Sequence, residues 1–150
     1  MAIDSDILNI SGELIPEIGP ELEKLLERGK TKRTKILDPA EHPDNARRKP
    51  YAVTKVSIKF DDERSLRKCV RLLRWSDERL RARPDQLVMW EWNITHREGM
   101  SIYFGVAWYD REFFEKRKNA FMEPSHTGYF SMFGAKAEDF KMEHVIKGKN

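Results

Sequence analysis

Four histidines, one cysteine and several runs of charge are the residues here that could do chemistry. His42, His96, His126 and His144 are scattered, and none stands three or four residues from another His or from Cys69. Zinc sites are built on such spacings, so neither a metal site nor a cofactor is expected. Ser125 and His126 are neighbours whose side chains point apart, and no acid is placed to complete a nucleophile–base–acid relay. The Gly-rich phosphate loops and the Gly-x-Ser-x-Gly turn are absent. Cys69 falls on the apolar side of a helical segment, where a thiol stays protonated and inert. Glu91 and Glu98 could form a carboxylate pair only if a fold joins them. These residues point away from catalysis and towards binding.

The strongest spacing signal is cationic. Arg28, Lys30, Lys32, Arg33 and Lys35 place five charges within eight residues, and Arg47, Arg48 and Lys49 add three more. Such an arm suits phosphates or an acidic protein surface. If five to eight of these charges met phosphates, affinity would fall with salt at a log–log slope of about −4 to −7. Arg64, Lys68 and Arg71, on one side of a helix spanning 62–75, extend the same nucleic-acid surface. Trp75 lies among them and offers a ring for stacking. Equally, Leu72 and Trp75 form an apolar edge able to seat Leu22, Leu25 and Leu26. Tyr129, Phe130, Met132 and Phe133 cluster in a segment bounded by Gly128 and Gly134. Aromatic and Met side chains on a loop are typical anchors for a protein partner.

Charge is also placed asymmetrically. Residues 1–27 hold seven acids and one base, while residues 28–60 hold ten bases and three acids. An acidic head and a basic arm on one chain suit association between copies or capture of a larger complex. The expected role is therefore a non-enzymatic interaction or assembly protein. It would bind a protein partner, or its own copies, through the N-terminal arm and the aromatic loop. The alternative is a nucleic-acid-binding protein using the arm and the basic helix. Small viral and phage proteins share this look, which is analogy only.

The chain has 150 residues, 39% of them hydrophobic, and carries a net charge of +3. That is enough for one core. A lone cysteine fits a reducing compartment. The first residues lack the basic start and apolar run of a secretory signal, and nothing approaches the length of a membrane span. A soluble protein of the cytoplasm, or of an infected cell's cytoplasm, is expected, with no membrane partner.

The elements that must position these residues follow from periodicity. Pro20 to Gly29 reads as a short helix, with Arg28 and Gly29 closing its end. Residues 30–50 lack apolar periodicity and read as an extended basic arm. Tyr51–Phe60 alternates as a half-buried strand. Asp61 and Asp62 then cap a helix carrying Leu66, Cys69, Val70 and Leu73 on one face. Asp77 would land back on the apolar face and Ser76-Asp77-Glu78 reads as an N-cap, so a break is expected near Ser76, with a second short helix to Arg83 stopped by Pro84. Leu87–Thr95 and Met100–Tyr109 form a tryptophan-rich hairpin around a four-residue loop, His96–Gly99. Val88, Trp90, Trp92 and Ile94 would share its buried face with Ile102, Phe104, Val106 and Trp108. Asp110 caps a helix offering Phe113, Phe114, Ala120 and Phe121, and residues 139–147 alternate as a final strand. The order βαββαβ implies an α+β, ferredoxin-like antiparallel sheet with helices on one face. Its reverse face, with Tyr103 and Tyr109, is open or covered by the N-terminal segment. The expected organisation is an acidic helix and basic arm over 1–50, then a single α+β domain over 51–150.

Overall fold

The computed structural model describes residues 17–37, 49–92, 95–121 and 139–148. Ten elements follow one another: α1 (Gly19–Gly29), β1 (Thr34–Leu37), β2 (Ala52–Lys59), α2 (Glu63–Arg81), α3 (Pro84–Leu87), β3 (Trp90–Trp92), β4 (Thr95–Glu98), β5 (Ser101–Trp108), α4 (Arg111–Phe121) and β6 (Phe140–Ile146). The class is α+β, as the periodicities predict. The sheet, however, has six strands in place of the four of a ferredoxin-like sheet. Its order is β1-β4-β5-β2-β6, with β3 also pairing β5, and every ladder is antiparallel. The first hairpin strand is divided into β3 and β4, and the other extra strand is β1, which sequence analysis assigns to the extended arm. Four residues without alternation carry little strand signal of their own, and pairing with β4 supplies the rest.

Alternation decides which side of the sheet is covered. Ala52, Thr54, Val56 and Ile58 of β2 are buried, as are Ile102, Phe104, Val106 and Trp108 opposite them. On this face Leu66, Cys69, Val70 and Leu73 of α2 pack into one cluster with Val56, Ile58, Ile102 and Phe104. Ile18, Leu22 and Leu26 belong to the same cluster, together with Leu72, while Leu25 and Trp75 pack against it. The N-terminal helix is thus seated on the second apolar edge of α2. Further along the same face, Phe114 of α4 joins Tyr51, Ala52, Val106 and Trp108. The expected caps are present. Asp62 accepts the Ser65 N–H at 2.8 Å and Asp110 accepts the Phe113 N–H at 2.7 Å.

Three local expectations are corrected. The helix does not break at Ser76: α2 runs unbroken to Arg81. Asp77 does turn back to the buried side, but Arg81 meets it one turn later at 3.1 Å and Leu80 continues the apolar stripe. The hairpin loop is not His96–Gly99. His96 and Glu98 pair with Tyr103 and Ser101, leaving a two-residue turn at Gly99-Met100 with Gly99 at φ 61°. That is the glycine-first turn whose twist suits a tight hairpin. Leu87 closes the short helix α3, and Val88 is 64% exposed, so the first hairpin strand starts only at Trp90. Asn93 and Ile94, and the side chains of Trp92, Ala120 and Phe121, lie outside the described residues.

The register of this hairpin changes along its length. Trp92 faces Val106 whereas His96 faces Tyr103, so four steps on one strand match three on the other. The two ladders thus differ in register by one residue, and this shift flips which side chains point inward. Trp90 points towards the helices before it, and Arg97 does so after it.

Arg97 is consequently 0% exposed. It forms a paired, two-point contact with the Glu63 carboxylate of α2, one arm at 2.7 Å. It also donates to the Leu26 carbonyl of α1 at 2.7 Å and to the Gly99 carbonyl at 2.8 Å. The Gly99 N–H in turn donates to the Gly29 carbonyl at 2.8 Å. Gly29 is needed for this approach: a Cβ there would lie 2.8 Å from the Arg97 stem. Next to it, Arg67 of α2 pairs with Glu63 at 3.0 Å, with Glu27 at 2.9 Å and with Glu23. Two arginines and three glutamates therefore clamp α1, α2 and the hairpin together.

A second polar group is threaded through the core. The Trp108 indole N–H donates to the Thr54 hydroxyl at 2.7 Å, and His144 Nδ1 lies 2.7 Å from that hydroxyl. With its oxygen already accepting from Trp108, Thr54 is set to donate to Nδ1, which favours the neutral ring. Burial lowers the His144 pKa from its ordinary 6.5. The unfolded chain therefore takes up the proton first as pH falls. Stability should be complete above the ordinary histidine pKa and decline as pH drops through the lowered folded value. Urea unfolding between about pH 7.5 and about pH 5.5 tests this, with His144→Gln as reference. The wild-type midpoint should fall more than that of H144Q; parallel curves would show that His144 contributes nothing to the pH dependence.

Candidate functional site

The face opposite the helices is built from the alternate residues of the same strands. β5 contributes Ser101, Tyr103, Gly105 and Ala107, and β2 contributes Val53, Lys55, Ser57 and Lys59. β4 adds His96 and Glu98, and β6 adds Lys141, Glu143 and Val145. One cross-strand row runs through five strands: Lys35, His96, Tyr103, Ser57 and Lys141 are successive partners. At the usual strand spacing this row spans about 19 Å. The next row holds Gly105, Lys55 and Glu143. Gly105 carries no side chain, so the surface dips beside Tyr103.

The dip is an open groove of about 470 Å³, lined by Arg33, Lys55, Ser57, His96, Tyr103, Lys141 and Glu143 among others. Tyr103 sits in its floor. The Arg33 guanidinium lies 5.4 Å from the centre of that ring. This is a cation–π contact made from the short stretch between α1 and β1. α1 itself packs on the helix-bearing side, so Arg33 reaches the open face where the helix does not.

The electrostatics of this face are one-sided. Arg33, Lys35, Lys55, Lys59 and Lys141 stand against Glu98 and Glu143, a net of three positive charges. The whole chain carries +3. This face alone thus carries a net charge as large as that of the whole chain. Such a concentration creates a local field that the modest net charge conceals.

Known proteins offer no guide to this face. Compared with family models, with curated proteins and with solved structures, the chain matches none.

The cationic residues marked by sequence spacing are sorted by the fold into three groups. Arg33 and Lys35 reach the open face. Arg28 and Lys32 are exposed, as is Lys30, which pairs with Glu27 at 2.9 Å. Lys49 is exposed just ahead of β2. The third group is the basic helix. Arg64 is exposed, but Lys68 and Arg71 are 8% and 9% exposed, and Glu17 approaches Arg71 at 3.4 Å. A phosphate-binding surface needs cations that solvent can reach, so this helix does not present the one expected of it. Arg67 and Arg71 of this helix instead meet Glu23, Glu27 and Glu17 of the acidic N-terminal segment. Arg47 and Arg48, and the aromatic segment with Tyr129, Phe130, Met132 and Phe133, lie outside the described residues.

Other candidates resolve into the core. Cys69 is fully buried, and burial raises its pKa, so it remains a thiol. Trp75 is half-buried against the α1–α2 cluster, with the Arg79 guanidinium 4.8 Å from its ring. Tyr109, expected on the open face, gives its hydroxyl to Glu91, which is itself buried and lies 3.7 Å from Arg81. Lys55 and Lys141 owe their place on this face to strand alternation alone. Sequence spacing carries no sign that they meet Arg33 and Tyr103, because those four residues come from four separate segments. Among the described residues no helix is long and apolar enough to cross a membrane.

Proposed function

We propose that this chain is a non-enzymatic binding module that holds a single-stranded nucleic acid across the open face of its sheet. The observation carrying this is the groove itself: Tyr103 in its floor, Arg33 above the ring and lysines on both flanks. Bases of any identity stack on an aromatic ring, while phosphates seek cations along the strand's path. When a base takes the ring, Arg33 is displaced to the side and meets a phosphate. Four-stranded RNA-recognition sheets use the same division, with helices behind and aromatics in front; the likeness is one of arrangement. A cytoplasmic location fits this ligand.

Fluorescence anisotropy with a labelled single strand of about 12 nucleotides tests the proposal. Binding should be measurable at about 50 mM salt and weaken with a log–log slope of about −2 to −3.5, from three to five phosphate contacts. Lys55→Ala and Lys141→Ala should each flatten the slope by about 0.7. Duplex of the same sequence should bind more weakly, since its bases are already stacked. No binding at low salt, or equal binding of an acidic peptide of matched charge, overturns the proposal.

A further inference from the structure

The outer edge of the sheet beyond β2 is a separate surface. β6 forms it, and β2 is its one strand partner among the described residues. An edge strand offers a row of backbone N–H and C=O groups to any chain able to pair with it. The side chains of that strand decide which chain fits.

We infer that β6 pairs antiparallel with β6 of a second copy of this chain, about a two-fold axis at Met142. A two-fold interface brings the same strand against itself, so its register is defined by the residue that meets its own copy. Centred on Glu143, the two copies would set carboxylate against carboxylate. Centred on Lys141, they would set ammonium against ammonium. Like charges directly opposite are destabilising. Centred on Met142, Lys141 of each copy faces Glu143 of the other, and two ion pairs form.

Both charged residues are exposed and stand on the open face. On the other face Phe140 and Met142 are half-buried at the rim of the main cluster. The same register sets Met142 against Met142 and covers this rim. The new ladder is therefore apolar towards the helices and paired in charge towards the grooves, the same pattern as the sheet within one copy. The two grooves would then lie side by side on one continuous surface. The inference stands independently of what the groove binds.

Sedimentation velocity of the nuclease-treated full chain over a wide concentration range tests it. A concentration-dependent species of twice the chain mass is expected. Lys141→Glu should set four carboxylates in the interface and Glu143→Lys four ammonium groups. Each should weaken self-association about tenfold or more, since two attractive cross-strand pairs become repulsive. An equimolar mixture of the two variants should recover the dimer, because each then supplies what the other lacks. Misfolding of either variant cannot produce that recovery, and circular dichroism confirms that both are folded. A monomer at every concentration, a dimer indifferent to both variants, or variants that weaken but do not recover on mixing would each overturn the inference.

Discussion

Replacing Arg97 by alanine should lower the free energy of unfolding by about 3–5 kcal/mol, the cost of removing one partner of a buried ion pair. At this chain length that corresponds to a fall in Tm of roughly 6–20 °C. Arg97 is fully buried, and its loss strands three groups together: the Glu63 carboxylate and the carbonyls of Leu26 and Gly99. Glu63 keeps 31% side-chain exposure, so water can recover part of the loss and the lower half of the range is expected. Urea unfolding with an unchanged m-value is the measurement. Two further variants identify the cause. Arg97→Met retains the stem but leaves the half-exposed Glu63 with Arg67 alone and the Leu26 and Gly99 carbonyls without their donor, so it should remain damaging. Combining it with Glu63→Gln should recover part of the loss, because the carboxylate that has lost its two-point partner is then neutral. A cost below about 1 kcal/mol for Arg97→Ala would mean that the clamp is no stronger than a surface pair.

The second large effect is at the groove. Tyr103→Ala should weaken single-strand binding by about 1–3 kcal/mol, the value of one base–aromatic stack, which is roughly 5- to 150-fold. The salt slope should not change, because no phosphate contact is lost. Tyr103→Phe should bind nearly as well as wild type, since the ring is kept. The lysine variants should show the opposite behaviour, a flatter slope at low salt with the stack intact. Folding stability should move little, as Tyr103 faces the open side and makes no part of either core cluster. Anisotropy titrations at several salt concentrations separate these outcomes. Equal affinity for Y103A and wild type would remove the stacking platform from the account.

The framework of this fold was legible wherever the side-chain pattern and the local hydrogen bonds point the same way. Alternation located β2 and β6. Asp62 and Asp110 marked two helix starts, and Leu22, Leu25 and Leu26 identified a helix that needed a seat. Three features were not legible, each for a physical reason. Arg97 follows a one-residue shift in register between the β3 and β4 ladders, and strict alternation from Trp92 would turn His96 inward and leave Arg97 in water. The Ser76-Asp77-Glu78 cap signature was overridden because Arg81 supplies Asp77 with a partner inside the continuing helix. Lys68 and Arg71 read as solvated because a helical wheel shows one helix alone; both are buried in the fold, and Glu17 meets Arg71. The site was legible in parts only. Lys55, Lys59 and Tyr103 fell on the reverse face by parity, but their meeting with Arg33 and Lys35 depends on β1 joining β4, a pairing across about sixty residues that no local pattern encodes.

The central position of β2 also sets a timetable. Its partners on both sides are made later than itself, and Thr54 meets His144 across a separation of 90 residues. At ordinary rates of synthesis the β6 side of this strand waits roughly 5–18 s on the ribosome before its partner exists. During that interval Ala52–Lys59 is a growing chain's apolar strand with an unclaimed edge, the kind of segment that recruits unwanted neighbours. Lys55 and Lys59, which later stand on the cationic face, would guard it meanwhile. The same two ammonium groups would thus act twice, first as chaperones of a nascent strand and then as part of a finished surface.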